Sequence, residues 1–199
     1  MKKELLISII FIFASFFSSI HGQVSEELTD ERDGKKYSTV QIGEQIWMSE
    51  NLNFDSGEGC WTYDDKEENA AIYGRIYTWD AAQEACPSGW HLPSDKEWED
   101  LIKYLGGPLK AGGKLKKKGE DLWKLPNIAS NESGFSALPG GYRFDYGDYH
   151  NITKVASFWT STISNGKKAY CRGLRNKSEG VKSSDDFVSA GRSVRCIKD

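Results

Sequence analysis

The sequence predicts an α+β fold, and three observations support that prediction. Two amphipathic helical segments lie in the first half of the chain, at residues 78–86 and 94–105. One hairpin pattern precedes them, and most other segments with strand character follow residue 135. Helices that are segregated from strands, rather than alternating with them regularly, are typical of α+β domains. We therefore expect a single domain with small antiparallel sheets and long loops.

Residues 1–22 have the pattern of a secretory signal peptide. Lys2 and Lys3 precede an apolar run from Leu5 to Phe17, and small or polar residues lead from there to Gly22. The run of about 13 residues is short for a bilayer span, which makes an uncleaved membrane anchor the less favoured alternative. We therefore predict an exported protein that is extracellular, on the cell surface or periplasmic. No integral membrane segment is expected after cleavage.

The rest of the chain divides into a polar segment, residues 23–32, interpreted as a short linker, and one domain, residues 33–199. The formal net charge of the whole chain is −3. A mildly acidic protein of this kind argues against a nucleic-acid partner, because nucleic-acid-binding surfaces are usually basic.

The four cysteines all lie in the predicted domain, at Cys60, Cys86, Cys171 and Cys196. An even number in an oxidising compartment favours two disulfides, and the count alone leaves three pairings open. The sequence has no CxxC motif and no Cys/His cluster, so we expect neither a zinc site nor another metal or cofactor.

The hairpin pattern at residues 36–48 begins the predicted domain. Residues 36–42 alternate as a strand does, Gly43 and Glu44 turn the chain, and residues 45–48 form the returning strand. Residues 54–71 then resemble a loop with an acidic patch, for which a solvated surface is favoured over a calcium loop.

The two central helices have the clearest local signals. Thr78 is a candidate N-cap for the first helix, and Pro87 ends it. Ser94 and Glu97 have the spacing of a capping box at the start of the second helix. The apolar face of that helix is formed by residues spaced i, i+3, i+4 and i+7, namely Trp98, Leu101, Ile102 and Leu105. Between the helices, His91 is interpreted as a structural histidine rather than a general base.

Residues 106–134 are rich in glycine and lysine, with Lys114 and residues 116–118 close together. We favour a mobile solvated loop there over a contact with an acidic polymer. Strand candidates follow at residues 135–138, 142–144, 156–162, 168–174 and 193–197. Asn165-Gly166 is the predicted hairpin turn between two of them.

Five blocks of the sequence carry a family resemblance. They are DGKKYSTVQIGEQIWMSENLN (33–53), YGRIYTWDAAQEACPSGWHLPSDKEWEDL (73–101), GFSALPGGYR (134–143), FWTST (158–162) and GRSVRCIKD (191–199). Together they resemble the Fibrobacter succinogenes major paralogous domain, over nearly all of residues 33–199. That family is similar in plan to C-type-lectin-like domains and to formylglycine-generating-enzyme-like sulfatase modifiers.

The resemblance implies a C-type-lectin-like domain with paired N- and C-terminal strands, two helices and a long loop region above a small second sheet. It also implies a disulfide between Cys86 and Cys196, with Cys60 and Cys171 as the second bridge. The calcium-binding motifs of lectins have no counterpart at residues 138–140 and 159–161, and no second cysteine near Cys171 completes a copper pair.

No complete catalytic constellation is found, so we expect a non-catalytic binding module whose ligand is a glycan or a surface protein. The candidate ligand-binding residues are aromatic, with one arginine suited to carboxylate recognition: Trp61, Trp123, Tyr142, Arg143, Tyr146 and Tyr149. For the arginines of the β blocks, at positions 143, 172, 192 and 195, internal ion pairs with Asp80, Glu97 or Asp186 are favoured over a ligand site. An enzyme of unknown reaction and a structural surface-coat domain are the alternatives.

Overall fold

The computed structural model describes residues 23–24 and 27–199. The predicted signal peptide, residues 1–22, lies outside the described residues. Within the part of the chain that is described, no helix is long and apolar enough to cross a membrane.

The described chain is a mixture of short helices and mostly short strands. In chain order the strands are β1 (Gln23–Val24), β2 (Leu28–Thr29), β3 (Lys36–Tyr37), β4 (Thr39–Ile42), β5 (Gln45–Met48), β6 (Cys60–Trp61), β7 (Ile76–Tyr77), β8 (Trp90–His91), β9 (Tyr142–Arg143), β10 (Tyr149–His150), β11 (Val155–Asn165), β12 (Lys168–Arg175), β13 (Val181–Phe187) and β14 (Ile197–Lys198). The helices are α1 (Glu67–Tyr73), α2 (Trp79–Gln83), α3 (Asp95–Tyr104) and α4 (Ala111–Leu115).

One sheet joins the two ends of the domain. Its strand order is β1-β4-β5-β14-β8, with antiparallel neighbours. The β4–β5 hairpin was predicted, and the last strand inserts beside it, with Ile197 opposite both Trp47 and His91. A second antiparallel sheet, β11-β12-β13, forms from the long strands of the C-terminal half. The turn between β11 and β12 is Gly166-Lys167, one residue later than the predicted Asn165-Gly166, because Asn165 ends β11 and pairs with Lys168.

The segment 23–32, interpreted as a linker, contributes structure of its own. Strand β1 pairs with β4, and β2 pairs with β3. Asp30 is buried and forms an ion pair with Arg32 at 2.7 Å, and Arg32 also donates to the carbonyl oxygen of Ala85. This pair ties the segment to the end of α2.

The predicted caps of α2 and α3 are confirmed. Thr78 accepts from the backbone N–H of Ala81, and Ser94 and Glu97 form both halves of the capping box. The apolar face of α3 is buried, and Trp98 lies there with its ring centroid 5.1 Å from that of Trp47. Helix α3 therefore closes the main hydrophobic core, as its periodicity predicts.

The disulfide prediction is half confirmed. Cys86, after α2, is bonded to Cys196, and their Cα atoms are 5.9 Å apart. The predicted Cys60–Cys171 bridge is wrong, since neither residue is in a disulfide within the described chain. Cys171 lies in the middle strand of the second sheet with Sγ 3.3 Å from the Ser184 hydroxyl, whereas Cys60 pairs with Tyr77 in a separate ribbon. The two thiols thus belong to different sheets and face different neighbours.

Two helices occur in segments that were interpreted as loops. Helix α1 lies in the acidic segment, and α4 lies in the glycine- and lysine-rich one. At the end of α4, Lys116 is buried, and its Nζ donates to the carbonyl oxygens of residues 175, 176 and 178. Burial lowers the pKa of Lys116 to about 8. The solvated-loop interpretation is therefore wrong for this lysine, which fixes the chain to the end of β12.

The strand predicted at residues 135–138 does not form. Ser136 has a φ of 53°, in the left-handed region that a β-strand excludes. The carbonyl oxygens of Phe135 and Ser136 accept from the buried guanidinium of Arg195 instead of from a neighbouring strand. Only a single bridge, from Ala137 to Lys116, remains of the expected pairing.

Candidate functional site

The candidate site is built on the β9–β10 hairpin. Tyr142 pairs with His150 and Arg143 pairs with Tyr149, while Phe144 donates to the carbonyl oxygen of Asp148 to close the turn. Directly opposed residues of an antiparallel pair share one face of the ribbon. One face therefore carries Tyr142 and His150, and the other carries Arg143 and Tyr149.

The first face forms what we term the aromatic strip, Tyr142, Phe144, Tyr146 and His150. The Phe144 ring makes an edge contact with Tyr142 at 5.2 Å and another with His150 at 4.8 Å. Tyr146 stacks on Phe144 with the ring centroids 5.0 Å apart and the planes inclined by 17°. The Tyr146 residue is 67% exposed. The strip thus ends in the ring of Tyr146, which packs against Phe144 and is exposed to solvent.

The second face anchors the hairpin to the domain. The Arg143 guanidinium lies 4.1 Å from the ring centroid of Trp61, a cation–π contact. The Tyr149 hydroxyl donates to Asp65 at 2.6 Å, and its ring contacts Tyr63 at 5.2 Å. Burial and the Asp65 carboxylate raise the pKa of Tyr149, which keeps the phenol protonated as a donor.

A glycine allows the hairpin to approach the body closely. Gly191 forms a bridge with Arg143, with backbone hydrogen bonds in both directions. A Cβ atom at Gly191 would lie 2.4 Å from Cγ2 of Ile76 and 3.0 Å from Cβ of Arg143. Any side chain there would push the hairpin away from the domain.

The arginines of the β blocks differ in their partners. Arg192 forms the predicted ion pair with Asp186, and its guanidinium lies 4.5 Å from the Tyr142 ring centroid. Arg172 pairs with Asp95, a partner that was not predicted. Arg195 donates to Asn51 and to backbone carbonyls rather than to a carboxylate. Its guanidinium is fully buried, and burial lowers its pKa to about 9.

The structure brings together five of the six predicted site residues. Trp61, Tyr142, Arg143, Tyr146 and Tyr149 lie on or under the hairpin. Trp123 is the exception: it is 2% exposed, and its Nε1 donates to the Ala137 carbonyl. It belongs to the core and cannot serve as an exposed platform.

Two members of the strip, Phe144 and His150, were not among the predicted site residues. The alternation of aromatic residues at 142, 144 and 146 is a period-two signal that places Phe144 with its neighbours. His150 could be placed on this face only from the register of the hairpin, which pairs it with Tyr142. Its buried Nε2 and the buried Nε of Arg143 have no hydrogen-bond partner among the described residues.

The exposed charged residues in the turn of the hairpin are acidic. Asp145 and Asp148 are exposed in the turn of the hairpin, and Asp64 and Asp65 are exposed beside it. The positive groups of Arg143 and Arg192 lie over aromatic rings. Among the residues that the structure describes, no group of three or more His, Cys, Asp or Glu side chains is placed to hold a metal ion.

Comparison with known proteins identifies the domain. Residues 40–198 match the family model of the Fibrobacter succinogenes major domain. No curated protein and no solved structure matches the chain. The match spans well over half of the 199 residues, so the chain belongs to the Fibrobacter succinogenes major domain family.

Proposed function

We propose that the protein is an exported, non-catalytic binding module that takes a glycan on its aromatic strip. The observation that carries the proposal is the exposed Tyr146 ring stacked on Phe144. The flat faces of sugar rings carry C–H groups, which pack against aromatic rings, and tyrosine combines such a face with a polar edge. The exposed carboxylates of Asp145 and Asp148 would accept hydrogen bonds from sugar hydroxyls.

The contacts that attach the hairpin to the domain support this proposal. The bridge between Arg143 and Gly191 and the contact between Arg143 and Trp61 hold the β9–β10 hairpin against the rest of the domain. Binding residues are often carried by loops on a rigid scaffold, and preorganisation lowers the entropic cost of association. Tyr146 would therefore meet its ligand without a large rearrangement of the backbone.

The local charge favours an uncharged glycan. The carboxylates of Asp145 and Asp148 are exposed in the turn that carries Tyr146, and like charges would repel a polymer rich in carboxylate or sulfate groups. We therefore expect neutral polysaccharides to bind more tightly than anionic ones.

We further propose a C-type-lectin-like fold for the domain and an oxidising compartment for the protein. Strand β14 pairs with β5, as the implied pairing of terminal strands requires. The bond from the end of the first central helix to the C-terminal region, Cys86–Cys196, is the one that the resemblance implies. Disulfides persist mainly in oxidising environments, which supports export.

Polysaccharide binding by the purified protein tests the proposal. Pull-down and tryptophan fluorescence would be measured with neutral polymers, xylan and chitin, and with an anionic polymer, alginate, each in calcium and in chelator. We expect saturable binding to a neutral polymer that Tyr146→Ala weakens roughly tenfold, from the loss of one stacking contact. Tyr104→Ala is the matched control, because Tyr104 is also exposed but lies on α3.

Two results would contradict this function. Absence of binding to every polysaccharide would remove the glycan and leave a surface protein as the ligand class. Equal losses for Tyr146→Ala and Tyr104→Ala would show that the strip is not the binding face.

A further inference from the structure

The outer strand of the second sheet has an edge that no other strand covers among the described residues. Strand β13 pairs with β12 on one side only. The backbone N–H and C=O groups of successive residues in such a strand point alternately toward and away from the neighbouring strand. The Val181 N–H donates to the carbonyl oxygen of Pro108, which belongs to no strand of the sheet. The backbone groups of Ser183 and Asp185 therefore also point away from β12.

Both ends of this edge are closed. Pro108 lies against the edge at Val181, and at the other end the Phe187 N–H donates to the carboxylate of Asp186. We term residues 182–186 the open edge, and Ser184 is its centre. A second strand that pairs here must fit between the two closed ends, which limits the register that it can take.

The open edge is complementary to a second copy of itself. If two copies pair in antiparallel fashion about a twofold axis through Ser184, residues equally far from Ser184 in the sequence lie opposite each other. Lys182 of each copy then lies opposite Asp186 of the other, and Ser183 lies opposite Asp185. Opposite charges stabilise such cross-strand pairs, and each pair of Ser183 with Asp185 can exchange both of its backbone hydrogen bonds.

The neighbouring registers are less favourable. Directly opposed residues lie on the same face of a sheet, so a twofold axis must pass through one residue of the strand and not between two. An axis at Asp185 would place two carboxylates directly opposite each other. An axis at Ser183 would place Lys182 opposite the uncharged Ser184.

The charges of the open edge favour pairing with a copy over the mere avoidance of pairing. A lysine on an outer strand commonly keeps other strands away. Lys182 is exposed and has no ion-pair partner in the described part of the chain, whereas Asp186, on the same face of the strand, is paired with Arg192. A carboxylate accepts several hydrogen bonds, so Asp186 can receive Lys182 of a second copy without releasing Arg192.

Exposed apolar side chains lie at both ends of the open edge. Leu109, next to Pro108, is 82% exposed, and Phe187 is 42% exposed. An antiparallel arrangement brings the end with Phe187 of one copy to the end with Leu109 of the other. Pairing would therefore remove apolar surface from water at both ends.

We propose that the protein forms a twofold-symmetric dimer in which the open edges of two copies pair in antiparallel fashion, with Ser184 on the axis. The pairing joins the second sheets of the two copies into one continuous sheet. Because residues 182–186 form a small interface, we expect a weak dimer with a dissociation constant between about 10 μM and about 1 mM. The aromatic strip contributes no residue to the open edge, so the dimer does not depend on glycan binding.

An exchange of charges tests the pairing. Sedimentation equilibrium of the purified protein at up to about 1 mM should show a mass that rises with concentration toward that of a dimer. Lys182→Glu and Asp186→Lys should each weaken the dimer roughly tenfold, because each places like charges opposite each other twice. A mixture of the two variants should restore association, since both pairs of the mixed dimer are again opposite in sign. Lys167→Glu, in the exposed turn after β11, makes the same change in net charge as Lys182→Glu and is the matched control.

Cross-linking tests the register and does not require a change at Asp186. The background carries Cys60→Ala and Cys171→Ala, which remove the two free thiols, because Cys171 lies against Ser184. In this background Ser184→Cys should form a disulfide between two copies, since directly opposed Cα atoms are about 4.5–5.5 Å apart, within the range of a disulfide. Ser183→Cys is the control and should link far less, because its two copies lie diagonally, about 7–8 Å apart.

Three results would overturn the inference, each with variants that circular dichroism shows to be folded. The first is a monomer at every concentration, which would leave a strand of a different protein as the partner of the edge. The second is a dimer that Lys182→Glu weakens no more than Lys167→Glu does. The third is a cross-link that forms more readily through Ser183→Cys than through Ser184→Cys, which would place the axis at another residue.

Discussion

Two regions of this domain are rich in aromatic residues and use them in opposite ways. In the helical region, residues 78–105, Trp98 is fully buried, with its ring stacked 5.6 Å from that of Phe158. In the hairpin region, residues 142–150, the aromatic rings contact one another, and Tyr146, stacked on Phe144, is exposed to solvent. The Cys86–Cys196 bond ties the first region to the chain end, whereas a short local turn closes the second. Aromatic side chains thus fill the core in one region and form an exposed surface in the other, where we propose that the ligand binds.

The largest effect is expected from the disulfide. Replacing both Cys86 and Cys196 by alanine should lower the free energy of unfolding by up to about 5 kcal/mol, because the bond joins residues 110 positions apart and limits the unfolded chain. Urea unfolding measures the change. Cys60→Ala is the control and should cost less than about 1.5 kcal/mol, since this thiol is unbridged. A comparable loss in the control would mean that Cys60 has a covalent partner.

The contrast between buried and exposed rings gives the next effect. Trp98→Ala removes a ring from the core and should cost about 3–5 kcal/mol. Tyr146→Ala removes a ring from the surface and should change the free energy of unfolding by less than about 0.5 kcal/mol, while it weakens glycan binding. Denaturant unfolding of the two variants would measure both changes in the free energy of unfolding. If Tyr146→Ala destabilised the protein as Trp98→Ala does, the strip would be a structural cluster.

A smaller effect tests how α3 begins. Ser94→Ala removes the acceptor for the Glu97 N–H and should cost about 1 kcal/mol. Ser94→Thr retains the capping hydroxyl and is the matched control. Thermal unfolding of both variants would measure the difference. Equal losses would indicate that the packing of Ser94, rather than the cap, stabilises the start of the helix.

The helical region was predictable because its signals are local. The capping box and the spacing of Trp98 with Leu101 lie within a few residues of each other, and any fold that keeps the helix must satisfy them. Helix α4 has no such signal, since two of its five residues are glycines. It is held by distant contacts, from the Gly113 N–H to the Glu179 carbonyl and from Lys116 to the end of β12 and the residues after it.

The candidate site could be predicted in composition but not in arrangement. The sequence shows the aromatic residues around Tyr142 and Tyr146, and the structure places them on one hairpin. Trp123 differs from these residues because it is buried in the core. The residue type alone does not show whether a tryptophan is buried or exposed. The support under the hairpin comes from Trp61 and Gly191, which lie far away in the sequence.

The smallest expected effect is a dependence on pH in the helical region. His91 lies between two carboxylates, with Nδ1 2.6 Å from Asp199 and Nε2 2.9 Å from Glu97. Burial lowers the pKa of His91, but the hydrogen bonds to Asp199 and Glu97 outweigh it, and the net pKa is raised. The stabilisation is therefore complete below the ordinary histidine pKa of about 6.5 and is lost as the pH rises through the raised value.

The side chain of His91 is 42% exposed, so solvent screening should hold this contribution below about 1 kcal/mol. Urea unfolding at about pH 6 and about pH 7.5 should show a loss of stability at the higher pH that His91→Gln removes. This interval lies below the pKa of about 8 of Lys116, whose loss of a proton at higher pH would raise the stability. His150→Gln, in the hairpin region, should retain the loss. If His91→Gln kept the full loss, the link between the capping box and the C-terminal residue would not depend on the histidine charge. If instead the loss followed His150, the pH-sensitive contact would lie in the hairpin region, and the helical region would owe its stability to packing and its disulfide alone.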